Sequence, residues 1–447
     1  MRVLAVAATL AAASRCQGKP PAGHPNIYPI NSGEESATLV ASVPNGKIFN
    51  VTVPMDGTNT TSHFPVVHLY GNATERGTAM GVIFKEHLQA KAVVDEIWAY
   101  FKSQVTEALP GFVPKWLADL IAEMGLDAAL GLTYELTKKY TTPEYIEEME
   151  AIASAAGIDY EKIRDMNMIA GATQGSCSMI GAWGDALRDK EDGMVQLRAL
   201  DWNMDPPIVN HPLVIVFHTE HHAYVTVGVT GLVGALTGVS DQQLGISEIG
   251  VSYPDDTFGK ESRVGVPFVF LLRDILHSDK ALDDSIDRMQ SATRTCDLIL
   301  GVGDGKSQAS QGSEKKFRGF QYSSSVCNVV NDTHPLPVAP WHEPLENVVY
   351  WGMDWICPAE TQGLHDHLSA MHGDIHPEGL IQNVTGPQQT GDTHLAYYDL
   401  KNMDMWVSFA RQSYYAGPEN AYDRQFTKFD LRKLFAEPRP TAQVELV

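Results

Sequence analysis

The pattern of hydrophobic and polar positions divides the chain into a helical first third and a later part in which strands and helices alternate. Residues 80–105 and 143–156 carry apolar side chains at three- and four-residue spacing, which predicts amphipathic helices. Further helices are predicted at 265–277 and 281–292. Short runs rich in β-branched and aromatic residues predict strands at 177–183, 194–202, 213–218, 223–229, 298–301, 348–351 and 393–410. This order predicts an α+β fold with a helical N-terminal segment and helices packed against antiparallel sheets.

Two segments have a less regular pattern. Residues 19–65 are rich in Pro, Gly, Asn, Ser and Thr and predict loops and edge strands. Residues 109–136 are unusually apolar, and two interpretations of them stay open. One is a pair of buried core helices. The other is an interfacial helix pair in transient contact with a membrane surface, with Phe112, Lys115 and Trp116 near the boundary.

Composition narrows the class of protein. Apolar types make up 44% of the 447 residues, which excludes a disordered chain. The 55 Asp and Glu outnumber the 33 Lys and Arg, which gives a formal net charge of −22, and no basic block is present. Nucleic acid is therefore not an expected partner, because binding its phosphates requires a basic face. An acidic compartment suits this chain, since partial protonation of carboxylates relieves self-repulsion.

The N-terminus predicts entry into the secretory pathway. Residues 1–18 combine Arg2, an apolar run and small residues, which is the form of a signal peptide, and the run is too short to cross a bilayer. Removal of this segment would take Cys16 with it. N-glycosylation sequons support the same route and stand at Asn50, Asn59, Asn72, Asn331 and Asn383. We therefore expect a glycoprotein that is secreted or lies in the lysosomal lumen.

Local motifs for metal, nucleotide or disulfide chemistry are weak. Five dispersed cysteines give neither a disulfide framework nor paired zinc-binding spacing, although Cys296 and Cys357 could form one disulfide or stay as buried thiols. The FHTEHH run at 217–222 lies between strand-like segments and predicts a hairpin turn with solvated histidines, because zinc motifs of this spacing require a helix. The histidines at 365–376 are predicted in a loop. We expect no metal and no cofactor.

The segment 175–203, GSCSMIGAWGDALRDKEDGMVQLRALDWN, carries the strongest sign of chemistry. Cys177 opens one predicted strand, and Arg198 and Asp201 end the next, with a turn-like stretch between them. A cation beside a thiol lowers its pKa and so assists attack on an acyl carbon, and Arg198 could supply this charge. Residues three apart on a strand face opposite sides, so this Arg and Asp would converge only at a strand end or bulge. A base is missing, since the hairpin contains no histidine.

Taken alone, each of these residues has a more ordinary interpretation. A lone cysteine on an apolar strand is usually a small core residue, and an Arg–Asp pair is usually a surface ion pair. Five further segments favour a catalytic interpretation, because they resemble sequence patterns of one family and follow each other in the same order as in that family. They are 68–82 (HLYGNATERGTAMGV), 145–167 (YIEEMEAIASAAGIDYEKIRDMN), 231–247 (GLVGALTGVSDQQLGIS), 265–276 (GVPFVFLLRDIL) and 325–331 (SVCNVVN).

With these segments the chain resembles the N-terminal-nucleophile hydrolases of the group that contains acyl-coenzyme A:6-aminopenicillanic acid acyltransferase, acid ceramidase and choloylglycine hydrolase. Two departures stand out. Ser240 occupies a position where the family pattern often has Asn, and Cys327 and Val329 replace the Thr and His that flank the Asn equivalent to Asn328. The resemblance implies a four-layer αββα sandwich and a chain that cuts itself before its nucleophile.

Self-cleavage would fall between Ser176 and Cys177. The resemblance then implies an N-terminal segment, 19–176, and a catalytic segment, 177–447, that remain parts of one folded unit. The freed α-amino group of Cys177 would act as the missing base. An α-amine titrates near ~8 and can accept a proton at working pH when its site is tuned.

The roles of the other site residues are carried over by position. Asp201 would hold the α-amine and Arg198 would stabilise the thiolate. Asn328 would donate to the tetrahedral oxyanion. Asn331 offers a second amide, but a glycan on it would exclude it from a closed site, so Asn328 is preferred.

The function implied is that of an amidohydrolase acting on linear amides through an acyl-enzyme. An N-acyl lipid of the ceramide or N-acylethanolamine type is the expected substrate, followed by acyl-amino-acid and peptide-like amides. An acyltransferase that uses the same acyl-enzyme is one alternative. Another is a non-catalytic, secreted, lipid-binding glycoprotein in which Cys177 is only structural.

Overall fold

Most of the chain is placed in the computed structural model, with gaps in loops and at the N-terminus. The residues described are 22–55, 60–89, 93–107, 115–170, 176–190, 193–202, 207–251, 256–306, 316–334, 342–352, 358–412, 417–441 and 445–446. The predicted signal peptide at 1–18, Cys16, Asn59 and Cys357 lie outside the described residues, as do residues 109–114 of the apolar segment. The predicted disulfide of Cys296 therefore stays a prediction.

The described helices fall into an N-terminal group, a central pair and a C-terminal group. They are α1 (Gly33–Ser36), α2 (Ala73–Ile83), α3 (Lys85–Gln89), α4 (Val93–Glu107), α5 (Lys115–Met124), α6 (Leu126–Thr137), α7 (Pro143–Ala156), α8 (Tyr160–Ala170), α9 (Phe268–Ser278), α10 (Leu282–Ser291), α11 (Pro358–Met371), α12 (Pro377–Leu380), α13 (Gly386–Gln388) and α14 (Leu431–Phe435). A π-helical turn, Ile381–Thr385, joins α12 to α13.

The described strands form two sheets. They are β1 (Asn31–Ser32), β2 (Ala37–Val43), β3 (Gly46–Pro54), β4 (Thr61–Tyr70), β5 (Ser176–Trp183), β6 (Met194–Asp201), β7 (Pro212–His218), β8 (Ala223–Val229), β9 (Gly238–Ser240), β10 (Leu244–Gly250), β11 (Leu298–Asp304), β12 (Phe317–Tyr322), β13 (Cys327–Val330), β14 (Val348–Trp351), β15 (His394–Asp399), β16 (Asp404–Phe409), β17 (Thr427–Asp430) and β18 (Glu445–Leu446). One sheet has the order β1-β17-β16-β15-β6-β5-β14, and the other β13-β12-β11-β10-β9-β8-β7-β4-β3-β2-β18.

The two sheets lie face to face with helices on both outer sides. Apolar residues of both sheets, such as Met179 and Val214, share one buried cluster between them. The α2–α10 helices pack on the outer face of the eleven-stranded sheet, and α11–α13 pack on the outer face of the seven-stranded sheet. The predicted α+β fold and its four-layer αββα order are confirmed.

Strands from both sides of the predicted cleavage point share the eleven-stranded sheet. The β4 strand, from the N-terminal segment, pairs in parallel with β7 over five residue pairs, from Val66–Val214 to Tyr70–His218. The remaining neighbours in this sheet pair antiparallel. The N-terminal segment is therefore built into the core of the fold.

Helices α2 and α7 pack closely because of glycine. Asn72 caps α2 by accepting from the backbone N–H of Glu75 at 2.9 Å, and Pro143 begins α7 at the predicted residue. A Cβ atom on Gly81 of α2 would stand 2.5 Å from the carbonyl oxygen of Ile152 in α7. The two helix backbones can therefore lie against each other only where a side chain is absent.

A buried charge network ties these helices to the sheet. The Glu148 carboxylate of α7 accepts from Arg76 Nε of α2 at 3.2 Å and from Arg273 Nη2 of α9 at 2.9 Å. Arg273 also donates to the Tyr224 hydroxyl on β8. All four side chains are buried, so each charge depends on its partner.

The apolar segment forms two helices in its described part. Leu117 and Leu120 of α5 and Leu126 and Leu130 of α6 are buried in the same cluster as the other outer helices, as the core-helix interpretation expects. Among the described residues, no helix combines the length and the apolar character needed to cross a bilayer. Contact of residues 109–136 with a membrane surface stays a prediction.

Two predictions from the local pattern were wrong. His365 and His367 lie on helix α11 and not in a loop. The turn at 219–222 does join β7 to β8 as predicted, but its His222 is buried, with 6% of its surface exposed. The pattern also missed β9 and β10, which lie at the centre of the larger sheet.

We expect Gly81→Ala to destabilise the fold, because the added methyl group would force α2 and α7 apart. The free energy of unfolding should fall by ~1–3 kcal/mol, the usual cost of overpacking. Urea unfolding, monitored by circular dichroism, would measure this change in the free energy of unfolding.

Gly131→Ala is the matched control. Gly131 lies within α6, and an added Cβ atom would meet nothing closer than 4.0 Å. Replacing an interior helical Gly with Ala stabilises by up to ~1 kcal/mol. Equal shifts in the two variants would contradict the close packing of α2 on α7.

Candidate active site around Cys177

The β5–β6 hairpin sets the geometry of the site. Its register is regular, with Ser176 opposite Asp201, Cys177 opposite Leu200 and Met179 opposite Arg198. Directly opposed residues share a face, so the Cys177 and Arg198 side chains both point into the space between the sheets. Asp201 is the last residue of β6 and points to the other face.

The Arg198 guanidinium is the centre of the site. It is fully buried, and its Nη2 donates to the Cys177 sulfur at 3.5 Å and to Glu248 Oε2 at 2.9 Å. Its Nη1 lies 3.2 Å from His394 Nε2. Because a guanidinium can only donate, His394 Nε2 must accept, which places the ring proton on Nδ1.

Glu248 and His394 were not found from the sequence. Glu248 lies on β10 of the opposite sheet, and His394 begins β15, next to β6. Burial and the Arg198 charge hold the pKa of His394 well below its usual range, so this imidazole is neutral. A lone acidic residue inside the apolar run LGISEIG was the one signal for Glu248.

Burial controls the Cys177 thiol. It raises the pKa of this thiol to about 12, against the lowering effect of the Arg198 charge, while the Glu248 and Asp201 charges add to the increase. The thiol is therefore neutral in the intact chain. It has a cation ready to stabilise a thiolate but needs a base to form one.

Asp201 lies beside the Ser176–Cys177 bond and anchors the loop before β15. Its carboxylate accepts from Thr390 Oγ1 at 2.7 Å and from the backbone N–H of Gly391 at 2.6 Å. The Thr390 hydroxyl lies a further 2.6 Å from Ser178 Oγ. Burial and the neighbouring charge of Asp392 raise the pKa of Asp201, while these hydrogen bonds oppose the shift. The structure thus brings Cys177, Arg198 and Asp201 to one end of the hairpin.

Asn328 is placed differently. It lies on β13, the edge strand of the larger sheet, where its side chain is exposed. Its Nδ2 donates to Gln321 Oε1 at 2.7 Å on the neighbouring strand. In the intact chain this amide is therefore engaged within its own sheet, and its role as oxyanion donor stays a prediction. Asn331 follows the strand, and its Oδ1 accepts from the backbone N–H groups of Thr333 and His334.

An apolar pocket opens beside the site. Its empty space is about 670 Å³ when the open solvent at its mouth is included. Its lining includes Leu200, opposite Cys177, and His394, in contact with Arg198. The rest is mainly apolar and comes from α4, α8, β8 and nearby loops, including Ile97, Met166, Trp202, Ile208, Val229, Leu232 and Phe409. Such a pocket suits an apolar ligand.

No protein-family model matches the chain. It is 34% identical over 436 residues to protein dcd1A of Dictyostelium discoideum, which covers 92% of this chain and 93% of that protein. It is 32% identical over 437 residues to protein dcd1B of the same organism, and the match covers 92% of this chain and 81% of that protein.

Solved structures are similar at lower identity. An N-acylethanolamine-hydrolyzing acid amidase ortholog of Caenorhabditis elegans has a TM-score of 0.36 at 15% identity, covering 50% of this chain and 93% of that one. Penicillin V acylase from Agrobacterium tumefaciens has a TM-score of 0.38 at 13% identity, and the match covers 60% of this chain and 90% of that one.

We expect Glu248→Gln to make the Cys177 thiol more acidic, because it removes a buried negative charge that raises the pKa of this thiol. Alkylation of Cys177 by iodoacetamide, located by peptide mapping, should begin at lower pH than in the unchanged chain. The variant should also be less stable, by up to ~3–5 kcal/mol, since Arg198 loses its carboxylate partner.

Glu123→Gln is the control, since Glu123 is exposed on α5, far along the chain from the hairpin. It should leave both the alkylation profile and the unfolding midpoint unchanged. An unchanged profile in Glu248→Gln would show that Glu248 does not act on the thiol.

Proposed function

The chain belongs to the family of the Dictyostelium discoideum proteins dcd1A and dcd1B, and we propose that this member of it is a cysteine amidohydrolase of the N-terminal-nucleophile type. It would cleave a linear amide through an acyl-enzyme on Cys177. The observation that carries the proposal is the Arg198 guanidinium 3.5 Å from the Cys177 sulfur in a site closed to solvent. A merely structural cysteine has no need of a buried cation, whose desolvation is costly.

The proposed first step is self-cleavage. Cys177 Sγ attacks the carbonyl carbon of Ser176, the peptide C–N bond breaks as its nitrogen takes up a proton, and a thioester forms. Water then hydrolyses the thioester. The products are a carboxylate at Ser176 and a free thiol and α-amine at Cys177, and this amine, with a pKa near ~8, supplies the base that the intact site lacks.

Turnover uses the same atoms. The α-amine takes the thiol proton, the thiolate attacks the amide carbon of the substrate, and the leaving amine takes that proton as the C–N bond breaks. Water then releases the acyl group. Arg198 offsets the charge on sulfur and Asp201 holds the α-amine. Asn328 would donate to the oxyanion, a contact worth ~3–4 kcal/mol, once its amide leaves Gln321.

The pocket supports a substrate with a long apolar acyl group. Each buried CH₂ group contributes ~0.8 kcal/mol, so an acyl chain could fill the space lined by Ile97, Trp202 and Leu232. Its carbonyl end would then lie near Leu200, opposite Cys177. We therefore propose an N-acyl lipid of the ceramide or N-acylethanolamine type.

A secreted or lysosomal location is part of the proposal. The exposed side chains of Asn72 and Asn383 suit glycosylation, and Asn50 and Asn331 are partly exposed. Asn72 uses its Oδ1 to cap α2, which leaves its nitrogen available to carry a glycan.

We expect the mature protein to be two fragments, and Cys177→Ala to remain one chain and lose all turnover. The reason is that the same sulfur performs both reactions. Denaturing electrophoresis would show the fragments, and mass spectrometry should place a new N-terminus at Cys177. The same spectra would report the signal-peptide cut and the glycans on the sequons.

Cys327→Ala is the control, because Cys327 is also a free thiol but is only partly buried and lies on edge strand β13. It should be cleaved like the unchanged chain. A Cys177→Ala variant that is still cut between residues 176 and 177 would overturn the self-cleavage step.

We expect Gly228→Phe to shorten the accepted acyl chain. Gly228 lines the pocket, and a Cβ atom there would meet Leu232 at an ordinary 3.5 Å, so the ring can extend into the cavity. The kcat/KM for long-chain amides should fall at least ~10-fold, since several CH₂ groups lose their place. Hydrolysis of short-chain amides should be little changed.

Assays across acyl lengths would measure this selectivity. An equal loss for short and long substrates would place the acyl chain elsewhere. Transfer of the acyl group to an added amine or to coenzyme A, at a rate above hydrolysis, would favour the acyltransferase alternative.

A further inference from the structure

Three potential metal ligands meet on the helical side of the larger sheet, apart from the Cys177 site. Glu144, His221 and His277 bring one ligand atom each to within 4.8 Å of one another. Glu144 lies in the first turn of α7, His277 in the last turn of α9, and His221 in the turn between β7 and β8. Two imidazoles and one carboxylate are a ligand set that zinc accepts.

His277 shows that the cluster lacks a partner. Its side chain is 4% exposed, and its buried Nδ1 has no hydrogen-bond partner in the described part of the chain. Its Nε2 lies 3.8 Å from Glu144 Oε2, too far for a hydrogen bond. Buried polar atoms are nearly always paired, so an imidazole with neither nitrogen bonded is an incomplete arrangement.

The ring is held in position to ligate. The His221 ring meets it edge-on at 5.0 Å between centroids, and the Tyr224 ring at 5.9 Å.

The surrounding charges nearly cancel. Arg76 and Arg273 are close by, and their charges are balanced by Glu148 and Glu144. Arg76 Nη2 occupies Glu144 Oε2 at 3.2 Å, which leaves Oε1 of this carboxylate for another partner. A divalent cation would therefore meet two imidazoles and one carboxylate oxygen, beside two arginines that are each paired with a carboxylate.

We propose that Glu144, His221 and His277 bind a Zn²⁺ ion, with water completing a tetrahedron. The ion would join the β7–β8 turn to helices α7 and α9. The β7–β8 turn follows the C-terminal end of β7, whereas Pro212, which lines the apolar pocket, lies at the N-terminal end of this strand. The six residue steps between the two ends of β7 correspond to a distance of ~20 Å. The zinc ion would thus have a structural role, at a distance from the Cys177 site.

The FHTEHH run at 217–222 supplies only His221 of these ligands. The other two come from positions 144 and 277, so no local spacing announces the site. This is why the sequence alone favoured the absence of a metal.

Calorimetric titration of the EDTA-treated full chain with ZnCl₂ at neutral pH tests the proposal. We expect one equivalent of zinc to bind and the midpoint of thermal unfolding to rise. His221→Ala, a change at an exposed side chain, should weaken zinc binding by at least ~10-fold, since loss of an outer-shell partner alone costs 10- to 100-fold. Glu144→Gln should weaken it too.

Co²⁺ offers a second readout, because a tetrahedral site gives strong visible absorption that His221→Ala should abolish. The matched control is His372→Ala, an exposed histidine after α11 that should leave binding unchanged. Absence of stoichiometric zinc, or equal binding in His221→Ala and the unchanged chain, would overturn the proposal.

Discussion

The constraint on which the rest of the site depends is a single cation without access to water. Arg198 lies between the two sheets, and removing a guanidinium from solvent is costly unless an opposite charge and hydrogen-bond acceptors surround it. Glu248, on the opposite sheet, forms an ion pair with Arg198, with 2.9 Å between Oε2 and Nη2. This ion pair fixes how β6 and β10 face each other. Gln196 Nε2 donates to Ser247 Oγ at 2.7 Å beside it, which adds a second polar contact across the same pair of strands.

This arrangement explains why the Cys177 thiol has a cation beside it that could stabilise a thiolate and yet stays protonated. In a medium of low polarity, a thiolate is costly unless a cation stands next to it, and Arg198 is that cation. The same burial keeps the proton on sulfur, and the Glu248 charge needed to hold Arg198 adds to that effect. A base that appears only when the chain is cut would resolve the conflict, because the new amine arises on the residue that bears the thiol.

The parts of the molecule that were predictable are those whose information is local. Helix α7 and strand β8 were predicted to the residue, because capping residues, apolar spacing and β-branched runs mark their ends. Strand β10, LGISEIG, was missed because its Gly, Ser and Glu residues break the apolar alternation. Glu248 and His394 could not be assigned to Arg198, since the sequence separations are 50 and 196 residues and only the folded sheets bring them together.

A cut between Ser176 and Cys177 would leave the two segments to be held by contacts alone, and the fold supplies them. The β4 strand would remain paired with β7 inside the larger sheet. Glu148 from the first segment and Arg273 from the second would remain joined at 2.9 Å, with the Arg273 guanidinium over the Phe217 ring at 4.3 Å. Separating the segments would expose these charges and an apolar face to water unpaired, a cost of several kcal/mol for the buried charge pair alone. Covalent continuity would therefore be dispensable at this point, and the proposed cleavage would form the new amine without loss of the site around it.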